Sequence, residues 1–526
     1  MEEFHILSSL CLLFSSLLGL LFFLYLYTKL WLNPKKIREK LRYQGISGPK
    51  PSLFYGNILE MKKIQKEAKM QPKEEQRLVC FVGDYTSDIF PYLISWRKTY
   101  GQLFLYSIGT VPILHITEPD LVKAVCQCTP FELGRPEYVR KARSSLFGDT
   151  GIVMADGELW AHERKIIAQE FFMHRIKGMV NVIIESANTL TEAWNKILKN
   201  KRGKAEIMVH SHLRNFSANI ISRVSFGSSY GKGEEVFSKL SLLQKAMSKS
   251  DMFTAIPGTR YLPTKTNREI HRLKQEICSL VRNIVQEHKQ QDTLNRDLLH
   301  SIIEGSTSIP DRTALAEEFI IDNCKTMYFV AFETTSVTAA WCLLLLALHP
   351  EWQSRVRKEV LEITRGATPD FDMLRQFKML TMVIQETLRL FPPAAFISRE
   401  ALHDMKLQNM HVPKGTVTQI TIPMLHRDLD VWGPDADVFN PNRFVNGISG
   451  ACKYPHMYAP FGFGPRTCAG QNLAMVELKI VLALLLMRFS FDLSPSYVHS
   501  PAYRMTVEPE HDVPLIVKNY DNSANM

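Results

Sequence analysis

The chain has 526 residues, 45% apolar and 22% charged, a globular balance that supports a large core and excludes wholesale disorder. Its 63 basic and 53 acidic residues give a net charge of +10. The excess is spread along the chain, which argues against nucleic-acid binding and for an acidic membrane surface or an acidic protein partner. The nine cysteines are scattered, form no paired framework and no C-x-x-C, and point to a reducing compartment.

Residues 6–28 contain no charge and are rich in Leu and Phe. As a helix they span about 34 Å, enough to cross a bilayer core of about 30 Å. A cleaved signal peptide is the rival reading, but that needs a basic start, and here Glu2 and Glu3 precede the span. Lys29, Lys35, Lys36, Arg38, Lys40 and Arg42 follow it, which places the C-terminal side in the cytosol. Residues 44–56 carry Gly and Pro punctuation and read as a stiff linker. Residues 60–78, dense in Lys, Glu and Gln, read as a solvated helix face.

Alternating apolar residues at 103–116, around Gly109 and Pro112, predict a β-hairpin. Residues 156–172 read as helix, with Trp160 and Arg164 four apart on one face. Amphipathic helices fill 181–289, broken at 227–233 and 257–263. The longest helical pattern runs over 313–349. At its centre an acid and three hydroxyls, Glu333 to Ser336, interrupt apolar residues, which is costly unless something uses them. Hydroxyls at such a place can bond to carbonyls one turn back and open the helix into a small groove. Residues 380–390 form a helix stopped by Pro392 and Pro393, with Glu386 and Arg389 three apart.

Residues 461–470 carry the sharpest signal. One cysteine, Cys468, sits where the helical pattern 471–488 begins. Partial positive charge and free N–H groups at a helix start favour thiolate over thiol, and Arg466 adds a cation nearby. Gly462 and Gly464 let the backbone approach a flat ligand closely. The chemical reading is an anionic sulfur ready to bind a soft metal centre.

The spacing F-x-x-G-x-R-x-C-x-G, met at Phe461, Gly464, Arg466, Cys468 and Gly470, resembles the haem-binding loop of the cytochromes P-450, the haem-thiolate monooxygenases. Trp160 and Arg164 resemble the family's W-x-x-x-R, whose side chains reach a haem propionate. Residues 331–336 are similar to its oxygen-activation segment, with Glu333 and Thr334 as acid and alcohol and Ala331 where glycine is usual. Glu386, Arg389 and Arg443 match a structural triad behind the haem, although Asn442 stands where an acid is common. Arg399 matches a further propionate contact, so that Ala394, Ala395, Phe396 and Ile397 line the substrate pocket.

The resemblance implies a mainly α fold with small β-sheets, a single large catalytic domain over 57–526. An anchor (1–28) and a basic flank with a Pro/Gly linker (29–56) precede it. It implies haem b with Cys468 as axial iron ligand and propionates anchored by Trp160, Arg164, Arg399 and Arg466. Thr334, helped by Glu333, would hold and protonate dioxygen. Electrons come from NADPH through a separate membrane-bound flavoprotein, NADPH-cytochrome P-450 reductase, because the chain has no flavin or nicotinamide fingerprint. The expected location is the endoplasmic reticulum membrane, single-pass, with the catalytic domain cytosolic. The lipophilic substrate is hydroxylated or epoxidised. The linker, the segment 322–336 and the haem loop resemble a plant clan acting on isoprenoids and hormones, within it the branch oxidising gibberellins and related ent-kaurane acids. A haem-thiolate isomerase or dehydratase needing no reductase is an alternative that the Glu333–Thr334 pair argues against. A non-enzymatic anchored haem protein is a third.

Overall fold

A computed structural model of the chain describes residues 2–70, 84–227, 230–248, 262–290, 297–307 and 313–520. The apolar start is a helix, Glu2–Tyr27, continued through a π-helical turn, Thr28–Leu32, and a second helix, Asn33–Arg42. Its Leu and Phe side chains face outward along its length, among them Leu12 at 70% and Phe14 at 64% exposure, as no water-facing helix tolerates. The basic flank is therefore helical. The stretch read as a linker lies on the body of the protein, where Leu105 donates to Ser47 and Gln44 exchanges two hydrogen bonds with His411.

Helices dominate and the strands gather into small sheets. The hairpin is Leu103–Ile108 and Val111–Ile116, with Gly109 at φ 59° in the turn. Pro112 lies inside the second strand rather than in the turn. Opposite it, Ser107 uses both backbone groups on Asn57, so no donor is required of Pro112. Val111–Ile116 pairs in parallel with Val417–Thr421, which pairs antiparallel with Phe396–Ala401, and Leu133–Gly134 closes this five-stranded sheet. A three-stranded sheet joins Lys204–Met208, Pro514–Asn519 and Phe489–Leu493. The first of those strands falls where the sequence reads as helix-rich.

The central helix is Thr313–Leu348, and from Phe319 on it carries apolar residues on every face because protein surrounds it there. Helix Lys378–Leu390 stops short of Pro392, and helix Gln471–Arg488 has the bounds that its periodicity predicts. Glu386 and Arg389 are fully buried and joined by two hydrogen bonds of 2.7 Å. Arg389 also donates to the carbonyls of His426, Ala436 and Val438. Arg443 approaches Glu386 to 3.7 Å and binds Asp435 with two nitrogens at 3.0 and 2.8 Å. The ion pair missing at exposed Asn442 is thus supplied by Asp435.

Candidate active site around Cys468

The loop before the cysteine helix is held by its own backbone. Cys468 N–H donates to Phe461 O at 2.8 Å, and Thr467 N–H donates to Gly464 O at 3.0 Å. Gly462 and Gly464 take φ of 75° and 77°, conformations that other residues seldom adopt. A Cβ on Gly464 would stand 2.0 Å from the carbonyl oxygen of Cys126. Gly464 therefore seats the loop on residue 126 and does not line the cavity, in contrast to the expectation of a cofactor contact. Gly470 lies on the cavity wall.

Cys468 opens onto a cavity of about 360 Å³. The wall beside the sulfur is Phe461, Gly462 and Ala469; the central helix contributes Val330, Ala331, Thr334 and Thr335. Deep placement raises the Cys468 thiol, opposed by the N–H groups of Gly470 and Gln471 and by Arg164. Arg164 is thus the cation set against the sulfur, while Arg466 shares the cavity with it. Arg466 turns to Asp156 at 2.7 Å and stacks over the Trp160 ring at 4.8 Å. Asp156 precedes helix Gly157–Glu170 without capping it, because its carboxylate takes Arg466 and the backbone N–H of Arg135 instead. The same helix is docked through Glu163, which accepts from Asn323 of the central helix at 2.8 Å. Burial pushes the Glu163 carboxyl up to about 9.

Trp160, Arg164, Arg399 and Arg466 all line this cavity, and so does Arg135, which the sequence reading missed. Arg135 donates to Val153 O at 2.8 Å and is half-buried beside Arg399 and Arg466. Burial lowers all three guanidiniums and mutual repulsion lowers Arg135 and Arg399 further, the latter to about 10. Asp156 is the acid that opposes this in all three, and among the described residues Arg466 Nε is buried with no partner. Such a surplus of buried cations is expensive without further anionic groups.

Of the pocket residues, Ala331, Ala394, Phe396 and Ile397 line the cavity, while Ala395 does not: it is buried and faces a second chamber. Thr334 faces the cavity and its hydroxyl donates to Val330 O at 2.9 Å. Ser336 and Thr338 likewise bond back along the helix, at 3.0 and 2.8 Å. The helix nevertheless runs without interruption, so the hydroxyls are satisfied without the expected local opening. Glu333 is fully buried, points away from the cavity and pairs with Arg214 of helix Val209–Phe226, both carboxylate oxygens at 3.0 Å. Burial raises its carboxyl, Arg214 opposing.

The cytochrome P-450 family profile matches residues 78–511. Cytochrome P-450 714C2 of Oryza sativa subsp. japonica is 53% identical over 521 residues, covering 98% of this chain and all of that protein. From the same plant, cytochrome P-450 714C3 is 50% identical and 714C1 is 49% identical, each covering 94% of this chain and 95% of the relative. With this fold and this cysteine loop, the chain belongs to the cytochrome P-450 family. Its members are monooxygenase oxidoreductases that carry haem b, use O2 and receive electrons from a reductase partner. The donor set fits that group: a sulfur at a helix start, an apolar wall, and more buried arginine than carboxylate.

Proposed function

We propose that this chain is a membrane-anchored haem-thiolate monooxygenase that oxidises a lipophilic terpenoid. The observation that carries the reading is that Cys468 and Thr334 line one apolar cavity, the first from the cysteine helix and the second from the central helix. Cys468 would hold the haem iron, and Trp160, Arg164, Arg399, Arg466 and Arg135 its propionates. Haem with a thiolate ligand supplies oxygen activation, because the electron-rich sulfur favours O–O cleavage. Thr334 would hold a proton at its hydroxyl on the cavity side, with Glu333 behind it as the acid. Ala331, Ala394, Phe396 and Ile397 exclude water and orient an apolar skeleton.

The exposed apolar helix at the start supports an anchor (1–28), followed by a basic flank (29–56) and the catalytic domain (57–526). A cytosolic domain on the endoplasmic reticulum membrane, served by NADPH-cytochrome P-450 reductase, is the corresponding setting. The substrate class, a gibberellin or ent-kaurane-type diterpenoid acid, rests on the resemblance of the linker, the central helix and the haem loop to the gibberellin-oxidising branch. The test is NADPH-dependent oxygen uptake with reductase and a diterpenoid panel, with products identified. Uptake matched by a product one oxygen heavier supports the reading; turnover without NADPH points to an isomerase, and no turnover to a haem scaffold. Cys468→Ala is expected to abolish both turnover and the reduced carbon monoxide band.

A further inference from the structure

A second chamber, about 620 Å³, lies beside the first and shares Arg135, Ala394 and Phe396 with it. The two differ in chemistry. The walls of the cysteine cavity are mostly apolar, whereas the second chamber presents Tyr92, Tyr106, Tyr138, Gln419 and Arg143. Phe396 stands between them in an aromatic cluster, 4.9 Å from Phe90 and 5.5 Å from Tyr503 by ring centroids. Among the described residues, three Lys or Arg side chains reach the second chamber. Lys69 is exposed at its mouth, and Arg135 belongs to the group around Asp156. Arg143 is half-buried, on helix Glu137–Phe147, and its Nη2 donates to the Tyr503 hydroxyl at 3.1 Å. The acids of the chamber, Asp88 and Glu510, lie on other elements, and Glu510 is engaged by Arg504 and Ser500.

We infer that this chamber is the acid end of the substrate site: Arg143, steadied by Tyr503, receives the carboxylate of an amphipathic substrate whose apolar body passes Phe396 into the cysteine cavity. The inference deepens the proposed function and rests on its assignment of the oxidation site to that cavity. A planar guanidinium suits a carboxylate because it can offer two parallel N–H donors. The tyrosine hydroxyls around it add neutral donors, since burial holds the Tyr138 phenol up at about 12 and the Tyr92 phenol higher still. An aromatic wall between a charged room and an apolar room fixes which end of the molecule enters first.

The experiment is equilibrium titration of the reductase-free holoenzyme, followed by the substrate-induced shift of the haem absorption band. The probes are a diterpenoid monocarboxylic acid, hexadecanoic acid and the methyl ester of each. Wild type is expected to prefer each acid to its ester, and Arg143→Met to weaken acid binding roughly 10- to 100-fold with ester binding unchanged. Arg143→Lys should retain part of the preference. Should Arg143→Met fail to hold haem, Tyr503→Phe carries the test, with a smaller loss confined to the acids. Equal loss for acid and ester, or an acid preference that survives in Arg143→Met, overturns the inference. So does a wild type without any preference. A response to the fatty pair alone leaves Arg143 in its role and removes the terpenoid reading, so the two can fail separately.

Discussion

Arg214 holds Glu333 through two nitrogens at 3.0 Å, although Thr334, the next residue along the helix, opens onto the cysteine cavity. Acid and alcohol are therefore adjacent in sequence and face different surroundings. Because burial raises the Glu333 carboxyl above its ordinary 4.5, the folded chain keeps a proton that the unfolded chain has released. Stability from this group is complete below about pH 4.5 and falls as pH rises through the raised folded value. Glu333→Gln should flatten that decline, and the check is the thermal midpoint of the two proteins across pH 4.5 to 8.5. An unchanged slope would show that Glu333 does not titrate in this range.

Thr334→Ala removes a hydroxyl from the cavity wall without touching the cysteine loop. The variant is expected to keep the reduced carbon monoxide band and to release more peroxide per NADPH consumed, with Thr334→Ser close to wild type. Simultaneous measurement of NADPH, peroxide and product decides it; unchanged coupling removes Thr334 from the role proposed.

Two glycines of the cysteine loop should respond differently to the same substitution. Gly464→Ala meets a positive φ and a carbonyl oxygen 2.0 Å from the new methyl, so strain of about 1–3 kcal/mol and loss of haem retention are expected. Gly470→Ala meets no protein atom within 4 Å and keeps φ at −87°, so it adds no backbone strain and should lose less haem than Gly464→Ala. Haem-to-protein ratios after gel filtration distinguish the two.

Breaking the buried pair should cost more than breaking its outer partner. Arg389→Met leaves Glu386 charged in the core, for a loss of about 3–5 kcal/mol. Arg443→Met should cost less, because the partner left behind, Asp435, has a half-exposed side chain that water can reach. Denaturant midpoints of the two variants check the order, and equal losses would contradict it.

Local chemistry made much of this molecule legible. A long helical pattern with Pro350 beyond its end marked Thr313–Leu348, and Gln471–Arg488 began where the loop glycines stopped. What stayed hidden depends on distant partners. Lys204–Met208 is a strand because Pro514–Asn519 lies beside it, about three hundred residues away, and its five residues carry too little pattern to say so. Arg135, Arg214 and Asp435 belong to no spacing motif; each acquires its role from groups brought by another element. Asp435 shows the point most plainly, since an acid absent at Asn442 returns from seven positions earlier.

Arg389 finally bears on how far this region can drift. Three of its contacts, to residues 37, 47 and 49 positions later, fall on backbone carbonyls. Every amino acid offers that acceptor, so these three bonds need no particular side chain, unlike the contacts of Arg389 with the His426 and Trp432 rings. Chimeras that exchange this stretch between relatives keep these three bonds as long as loop length is preserved, whereas one residue inserted between 426 and 436 shifts the two later acceptors out of register.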